Sequence, residues 1–177
     1  SSFQAIDSKY ISQIVEISQI FSEQKSIISL IETIKTAFAN LLSTDRAVFF
    51  LLDMESDKII KFQPDGTLKN TYASESGIVG RSIQENKIII LPDLEHNDKR
   101  LDTIDKITGY TINNLLCIPL RNRSGKVIGA VELYNKLTNF TSQDENILNI
   151  LSSSATAALE NIIELEKIKK KNQRCCF

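Results

Sequence analysis

The chain has 177 residues, 42% of them hydrophobic, and 21 Lys and Arg balance 22 Asp and Glu to a formal net charge of −1. That length and apolar share suit one globular domain with a real core plus some extra helix. A near-neutral balance argues against a nucleic-acid partner, and the short apolar runs and absent signal-peptide pattern against a membrane span. Cys117, Cys175 and Cys176 form neither a disulfide framework nor a zinc site, so a reducing, cytoplasmic setting is expected.

Residues 6–42 read as two helices. Tyr10, Ile14, Ile17 and Phe21 recur at heptad-like spacing, a narrow stripe suited to packing on another helix or simply to covering the domain. After the polar break Ser22–Ser26, the helical period resumes at Ile27, Leu30, Ile31, Ile34, Phe38 and Leu41. From Arg46 the period becomes two. Ala47–Asp53 is apolar on both faces and reads as a central strand. A turn at 54–57 leads to a second strand, Lys58–Phe62, and Pro64-Asp65-Gly66 has the chemistry of a turn before a weaker strand over 68–73.

Ser76 is placed to cap a short helix over 78–85 that Asn86 ends. Gly77 and Gly80 flank Ile78 and Val79, where exposed amides at a helix start would attract an anion. Residues 87–91 form a strand stopped by Pro92, and 93–100 is a polar loop whose His96 reads as a solvated surface residue. Leu101, Ile104 and Ile107 suggest a short amphipathic helix ended by Gly109. Leu115–Leu120 is apolar throughout, and the polar 121–125 turn leads into a strand from Val127 to Tyr134. Alternation puts Glu132 on one face with Ile128, Ala130 and Tyr134, where a carboxylate needs partners. Thr141 and Asp144 fit a capping box opening a long helix from Ser142 to about Lys170. That helix turns charged and basic after Glu164, so its tail is expected to leave the domain body. The Cys175-Cys176-Phe177 end is not a prenylation signal, and the two chain ends read as those of an excised fragment. The sum is an α+β fold with a six-stranded antiparallel sheet.

The run NKLTNFTSQDE, with RAVFFLLD, SGIVGRSI, ILPD, ITGY, NNLLCIPL and VIGAVEL, resembles the GAF domains of cyclic-nucleotide phosphodiesterases and related adenylyl cyclases. Their signature is complete here as Asn135, Lys136, Phe140, Asp144 and Glu145, and the resemblance covers roughly Lys25 to Lys170. It implies a GAF fold with the N- and C-terminal helices on one face of the sheet and short inserted helices over a ligand pocket on the other. The implied division is a connecting or dimerisation helix over 1–24, the GAF domain over 25–165 and a helical tail over 166–177.

The resemblance also implies a ligand, cAMP or cGMP, and its contacts. The amides of Ile78 and Val79 would meet the cyclic phosphate, Asp105 and Thr108 the base and sugar, and Phe62 or Asp65 the purine. Glu132 would line the pocket together with Leu101. Val48 and Ile112 stand where relatives can carry hydroxyls, and these apolar walls incline the choice towards cAMP. Lys136 and Asp144 would form an ion pair beneath the pocket without touching nucleotide. The implied role is a regulatory sensor, homodimeric through its terminal helices and attached to an effector such as a phosphodiesterase catalytic domain. The alternative is a dimerisation module with an empty or vestigial pocket. No cofactor is required, and catalysis is not expected, because Cys117 lies inside a buried strand and no metal-binding cluster exists. A bilin or haem would lack its cysteine or second histidine.

Overall fold

The computed structural model describes residues 6–62 and 69–176, so the turn around Asp65 lies outside the described residues. Two helices come first, α1 (Ser8–Glu23) and α2 (Ile27–Leu42), followed by strands β1 (Thr44–Asp53), β2 (Lys58–Phe62) and β3 (Lys69–Ala73). Then come α3 (Gly77–Glu85), β4 (Ile89–Leu91), a single 3-10 turn at Thr103–Asp105, β5 (Leu115–Arg121), β6 (Val127–Lys136) and α4 (Ser142–Cys175). The strands form one antiparallel sheet in the order β3-β2-β1-β6-β5-β4. Helices α1, α2 and α4 cover one face, and α3 with the segment between β4 and β5 covers the other.

The central pair explains why the sequence reads as apolar on both sides. Ala47 and Phe49 of β1 point to the helix layer, while Val48 and Phe50 point to the opposite core, all buried. Partners on β6 repeat the split, with Val131 and Leu133 facing the helices and Ala130 and Tyr134 the other way. Strict alternation begins only at Gly129. Leu120 pairs with Gly129 while Arg121 pairs with Val127, so Ile128 is an extra residue that bulges to the helix side. The expectation that Ile128 shares the face of Glu132 is corrected by this bulge. A Cβ at Gly129 would stand 2.4 Å from the Phe50 carbonyl oxygen, so glycine is what lets β1 and β6 pair there.

Helix α1 packs its stripe of Ile14 and Phe21 on the helix-side core, and Ser18 Oγ meets Ser154 Oγ of α4 at 2.9 Å. It leaves Ile11 and Val15 exposed on its other side. The inserted helix expected over 101–107 is only the 3-10 turn, because Asp105 Oδ2 accepts from the Asp102 amide (2.9 Å) and closes the turn after three residues. Thr108 therefore lies on a turn, closed by the Tyr110 amide donating to the Ile107 carbonyl at 3.1 Å with Gly109 at φ +70°.

The junction of the sheet and α4 is fixed by one carboxylate. Asp144 Oδ2 accepts from the Thr141 amide (2.9 Å) and from Lys136 Nζ (2.5 Å), while the Asp144 amide donates to Thr141 Oγ1 (3.1 Å). The capping box and the ion pair thus share an atom, and both side chains of the pair are only about a tenth exposed (12% and 11%). Asp144→Ala should therefore cost about 3 kcal/mol in urea unfolding, because it removes a cap and leaves a mostly buried ammonium unpaired. Glu145→Ala, which alters only a charge in the first turn, should cost less than about 1 kcal/mol.

Candidate functional site: a carboxylate on the first turn of α3 beside a cavity

The site lies on the sheet face opposite the helix layer. Glu132 stands in the middle of β6 with Val48 of β1 on one side and Cys117 of β5 on the other. Neither neighbour can hydrogen-bond a carboxylate well, and the residue is 0% exposed. Burial, reinforced by the charge of Asp105, pushes its carboxyl well above the ordinary carboxylate value. The surroundings of Glu132 thus favour its protonated form. Its Oε2 accepts from the Tyr134 hydroxyl, which also lies 3.3 Å from the Asp105 carbonyl. Its Oε1 has no hydrogen-bond partner among the described residues.

Asp105 is the other buried acid, and its surroundings are the opposite. Its Oδ1 and Oδ2 accept from the Ile78 amide at 3.0 and 3.1 Å, Oδ1 from the Val79 amide at 3.4 Å, and Oδ2 from Asp102 as described. A carboxylate on the first-turn amides of a helix is favoured by both the hydrogen bonds and the helix dipole. Ser76 occupies the N-cap position of α3, but its side chain makes no capping bond. The cap comes instead from Asp105, brought in from the β4–β5 connection. The amides of Ile78 and Val79, expected to be free, are therefore bonded to the protein's own carboxylate.

Lys61 holds this arrangement to the sheet. On β2 it is Ile59 and Lys61 that face the site, and the Lys61 ammonium, 3% exposed, donates to the carbonyls of Ile104 (2.6 Å) and Lys106 (2.8 Å). Burial lowers its pKa, opposed by the charges of Glu132 and Asp105. The same alternation sends Phe62 to the other face, where its ring packs edge-on to Phe49 at 5.9 Å in the helix-side core. Phe62 is thus removed from the implied purine contacts.

Above this buried group a cavity of about 730 Å3 opens between the β2–β3 edge and the β4–β5 connection. Lys61, Tyr72, Leu101, Thr108, Tyr110 and Ile112 line it, with His96 at its side. Its volume is in the range of small-molecule sites. Of the residues that the sequence singles out, Leu101, Thr108 and Ile112 reach the cavity wall, whereas Ile78, Val79, Val48, Asp105 and Glu132 lie in the buried core beside it. Lys61, Tyr72 and Tyr110 were not foreseen. A lysine on a strand that otherwise alternates apolar residues was the available signal.

Asn135 ties the roof to the sheet. Held at φ +58°, it accepts at Oδ1 from the Asn113 amide (2.7 Å) and donates from Nδ2 to the Thr111 carbonyl (2.8 Å) and the Tyr110 hydroxyl (3.0 Å). Tyr110 in turn donates to Asp45 (2.7 Å) and lies under the Arg46 guanidinium. Lys136 Nζ lies 5.9 Å from the Phe140 ring centroid, and Phe140 packs on the helix-side core. Of these residues Asn135 thus holds the roof, while Lys136, Phe140 and Asp144 stand at the junction with α4 on the helix side of the sheet. The Cys117 thiol, fully buried, is pushed well up by desolvation, so it is no poised nucleophile. Among the described residues no group of His, Cys, Asp and Glu is placed to hold a metal, and no helix is long and apolar enough to cross a membrane.

An antiparallel six-stranded sheet with a helix layer on one face and a pocketed connection on the other defines the fold class of the chain. The GAF domain family model matches residues 26–159, and the chain belongs to that family. It is 33% identical over 88 residues to the dual 3',5'-cyclic-AMP and -GMP phosphodiesterase 11A of Takifugu rubripes, covering 48% of this chain and 10% of that protein. It is 25% identical over 170 residues to a probable 3',5'-cyclic phosphodiesterase, pde-5, of Caenorhabditis elegans, covering 88% of this chain and 23% of that protein. The chain thus matches less than a quarter of the length of either relative. Among solved structures, the GAF domain of an Acinetobacter phosphoenolpyruvate-protein phosphotransferase superposes with a TM-score of 0.74 at 18% identity, covering 88% of this chain and 95% of that one. Free methionine-R-sulfoxide reductase of Neisseria meningitidis, solved with its substrate, gives 0.67 at 17% identity, covering 93% and 97%. Both likenesses concern the fold.

The raised Glu132 carboxyl makes a prediction with a definite sign. A folded-state pKa above the ordinary 4.5 means that its contribution to stability is full below that value and is lost as pH rises towards the raised value. Glu132→Gln keeps the shape of the neutral acid but cannot ionise. The stability of this variant relative to wild type, from urea unfolding at a series of pH values between about 5 and 9, should increase with pH. A difference independent of pH would contradict the assignment.

Proposed function

We propose that this chain is a regulatory, non-catalytic ligand-sensing domain that binds a cyclic nucleotide, cAMP or cGMP, and passes the event through its flanking helices to an adjoining effector such as a phosphodiesterase catalytic domain. The single observation that carries this reading is the cavity of about 730 Å3 between the β2–β3 edge and the β4–β5 connection, lined by Lys61, Tyr72, Thr108 and Tyr110. The similarity to cyclic-nucleotide phosphodiesterases supports the choice of ligand. A cyclic phosphate on the amides would place base and sugar under Leu101, Thr108 and Ile112, with the Tyr72 and Tyr110 rings as apolar surfaces. Val48 and Ile112 supply no hydroxyl, so discrimination between the purines would be modest, inclining to cAMP.

The sensor works only if the ligand prefers one arrangement of the cavity roof over another. The roof is joined to the output helix through covalent neighbours, Asn135 on the roof side and Lys136 with Asp144 on the helix side. Closure over a ligand would thereby bear on the start of α4. The setting is taken to be cytoplasmic, with no cofactor beyond the sensed ligand.

One observation favours a second reading. Asp105 already fills the anion place, which suits a domain kept for pairing helices. Ile11 and Val15 on α1 and Leu165 and Ile168 on α4 are exposed apolar residues on the two terminal helices, and they support a homodimer in either case. Titration of ligand-freed protein with labelled cAMP and cGMP should give saturable binding of at least one. Binding of neither would leave only the pairing role. Light scattering should give twice the chain mass, and Leu165→Glu with Ile168→Glu should shift it towards the monomer.

A further inference from the structure

We propose that Asp105 is a tethered competitor: it is the resident anion of the α3 site, and an anionic ligand binds by displacing it. The inference rests on the sensor reading for the identity of that ligand and adds how the site is regulated. Three facts about the surroundings carry it.

First, the carboxylate takes the place a ligand would use. It accepts from the Ile78 and Val79 amides at the start of a nine-residue helix, where phosphate and carboxylate groups are favoured alike. The chain leaves room for the close approach. Gly77 sits at φ +64°, and a Cβ there would come within 2.5 Å of Asp105 Oδ2.

Second, the neighbouring Glu132 carboxyl faces Asp105, whose charge and side-chain hydrogen bond add to burial in raising its pKa, so release of Asp105 frees it to face another anion. Its Oε1 is buried and without a hydrogen-bond partner among the described residues, an expense that native cores normally avoid. Burial favours its protonated form, which could donate to an anion with more oxygens than a carboxylate offers. A phosphate group has those oxygens.

Third, Asp105 is carried by a short element with no strand or helix pairing of its own. It sits on a single 3-10 turn, and the bonds that anchor this turn to the sheet come from side chains, Lys61 to the carbonyls of Ile104 and Lys106 and Tyr134 to that of Asp105. The turn adjoins Leu101, Thr103 and Thr108 in the cavity wall. Displacing Asp105 therefore shifts the roof itself. Ligand chemistry at the amides and roof position become one equilibrium, and the fraction of molecules with Asp105 already released scales the apparent affinity.

The test uses the full chain with Asp105→Ala and Asp105→Asn, and inorganic phosphate, acetate, cAMP and cGMP as probes. In phosphate-free buffer Asp105→Ala should melt below wild type, and phosphate or acetate should restore its melting point while moving wild type less. It should bind the cyclic nucleotide at least about tenfold more tightly than wild type, since no competitor is left to release. In wild type, the backbone NMR resonances of Ile78 and Val79 should shift when the nucleotide saturates. Rescue by phosphate with no nucleotide binding to any variant would support the competitor and remove the nucleotide reading. Failure of every anion to restore Asp105→Ala would overturn the proposal, leaving Asp105 as a structural cap. If that variant does not fold, Asp105→Asn, which keeps one acceptor oxygen, carries the comparison. Nucleotide binding that leaves the Ile78 and Val79 resonances of wild type unmoved would likewise overturn it.

Discussion

The bonds from the α3 amides to Asp105 set the conditions for everything on that face of the sheet. A helix start turned inward leaves N–H groups that water cannot reach, and some acceptor must meet them. Here the acceptor is supplied from the β4–β5 connection, so satisfying the helix also pulls that connection down over the sheet. Once a negative charge is buried there, the rest follows from charge balance. Lys61 is drawn in from β2 despite its desolvation, and burial, reinforced by Asp105, pushes the Glu132 carboxyl well above the ordinary carboxylate value.

The scaffold was largely legible in the sequence, for a plain reason. Runs such as Ala47–Leu52, Leu115–Leu120 and Val127–Tyr134 are apolar on both faces, and only a strand covered on both sides asks for that. The helical stripes of α2 and α4 carry their period over four turns or more and leave little ambiguity. Asp144 was legible too, because its partners Thr141 and Lys136 are close in sequence.

The buried site was less legible because its interactions join residues far apart in the chain. Ser76 looks like a cap by position, but Asp105 wins the amides through tertiary packing that no local pattern encodes. The spacing of Leu101, Ile104 and Ile107 imitates a helix, although Asp102 and Thr108-Gly109 favour tight turns around it. On β2 the sequence Lys-Ile-Ile-Lys-Phe could place either face inward. Hydrophobicity argues for Phe62 at the pocket, while the two carbonyls above the sheet select Lys61. The bulge at Ile128 is likewise invisible without its pairing partner.

The 34-residue α4 helix has a mechanical consequence. At 1.5 Å per residue it is a rod of about 51 Å, clamped near one end by Lys136 and the Thr141 cap. It is packed on the core from Ile147 to Ile162, so only the 12 exposed residues past Ile163, about 18 Å of the rod, stand clear of the core. A tilt of about 5° where the core ends displaces the tip by roughly 1.6 Å over that length, about the rise of one residue. The exposed Leu165 and Ile168 lie on this projecting length, so whatever packs on them meets the helix where the core no longer fixes its direction.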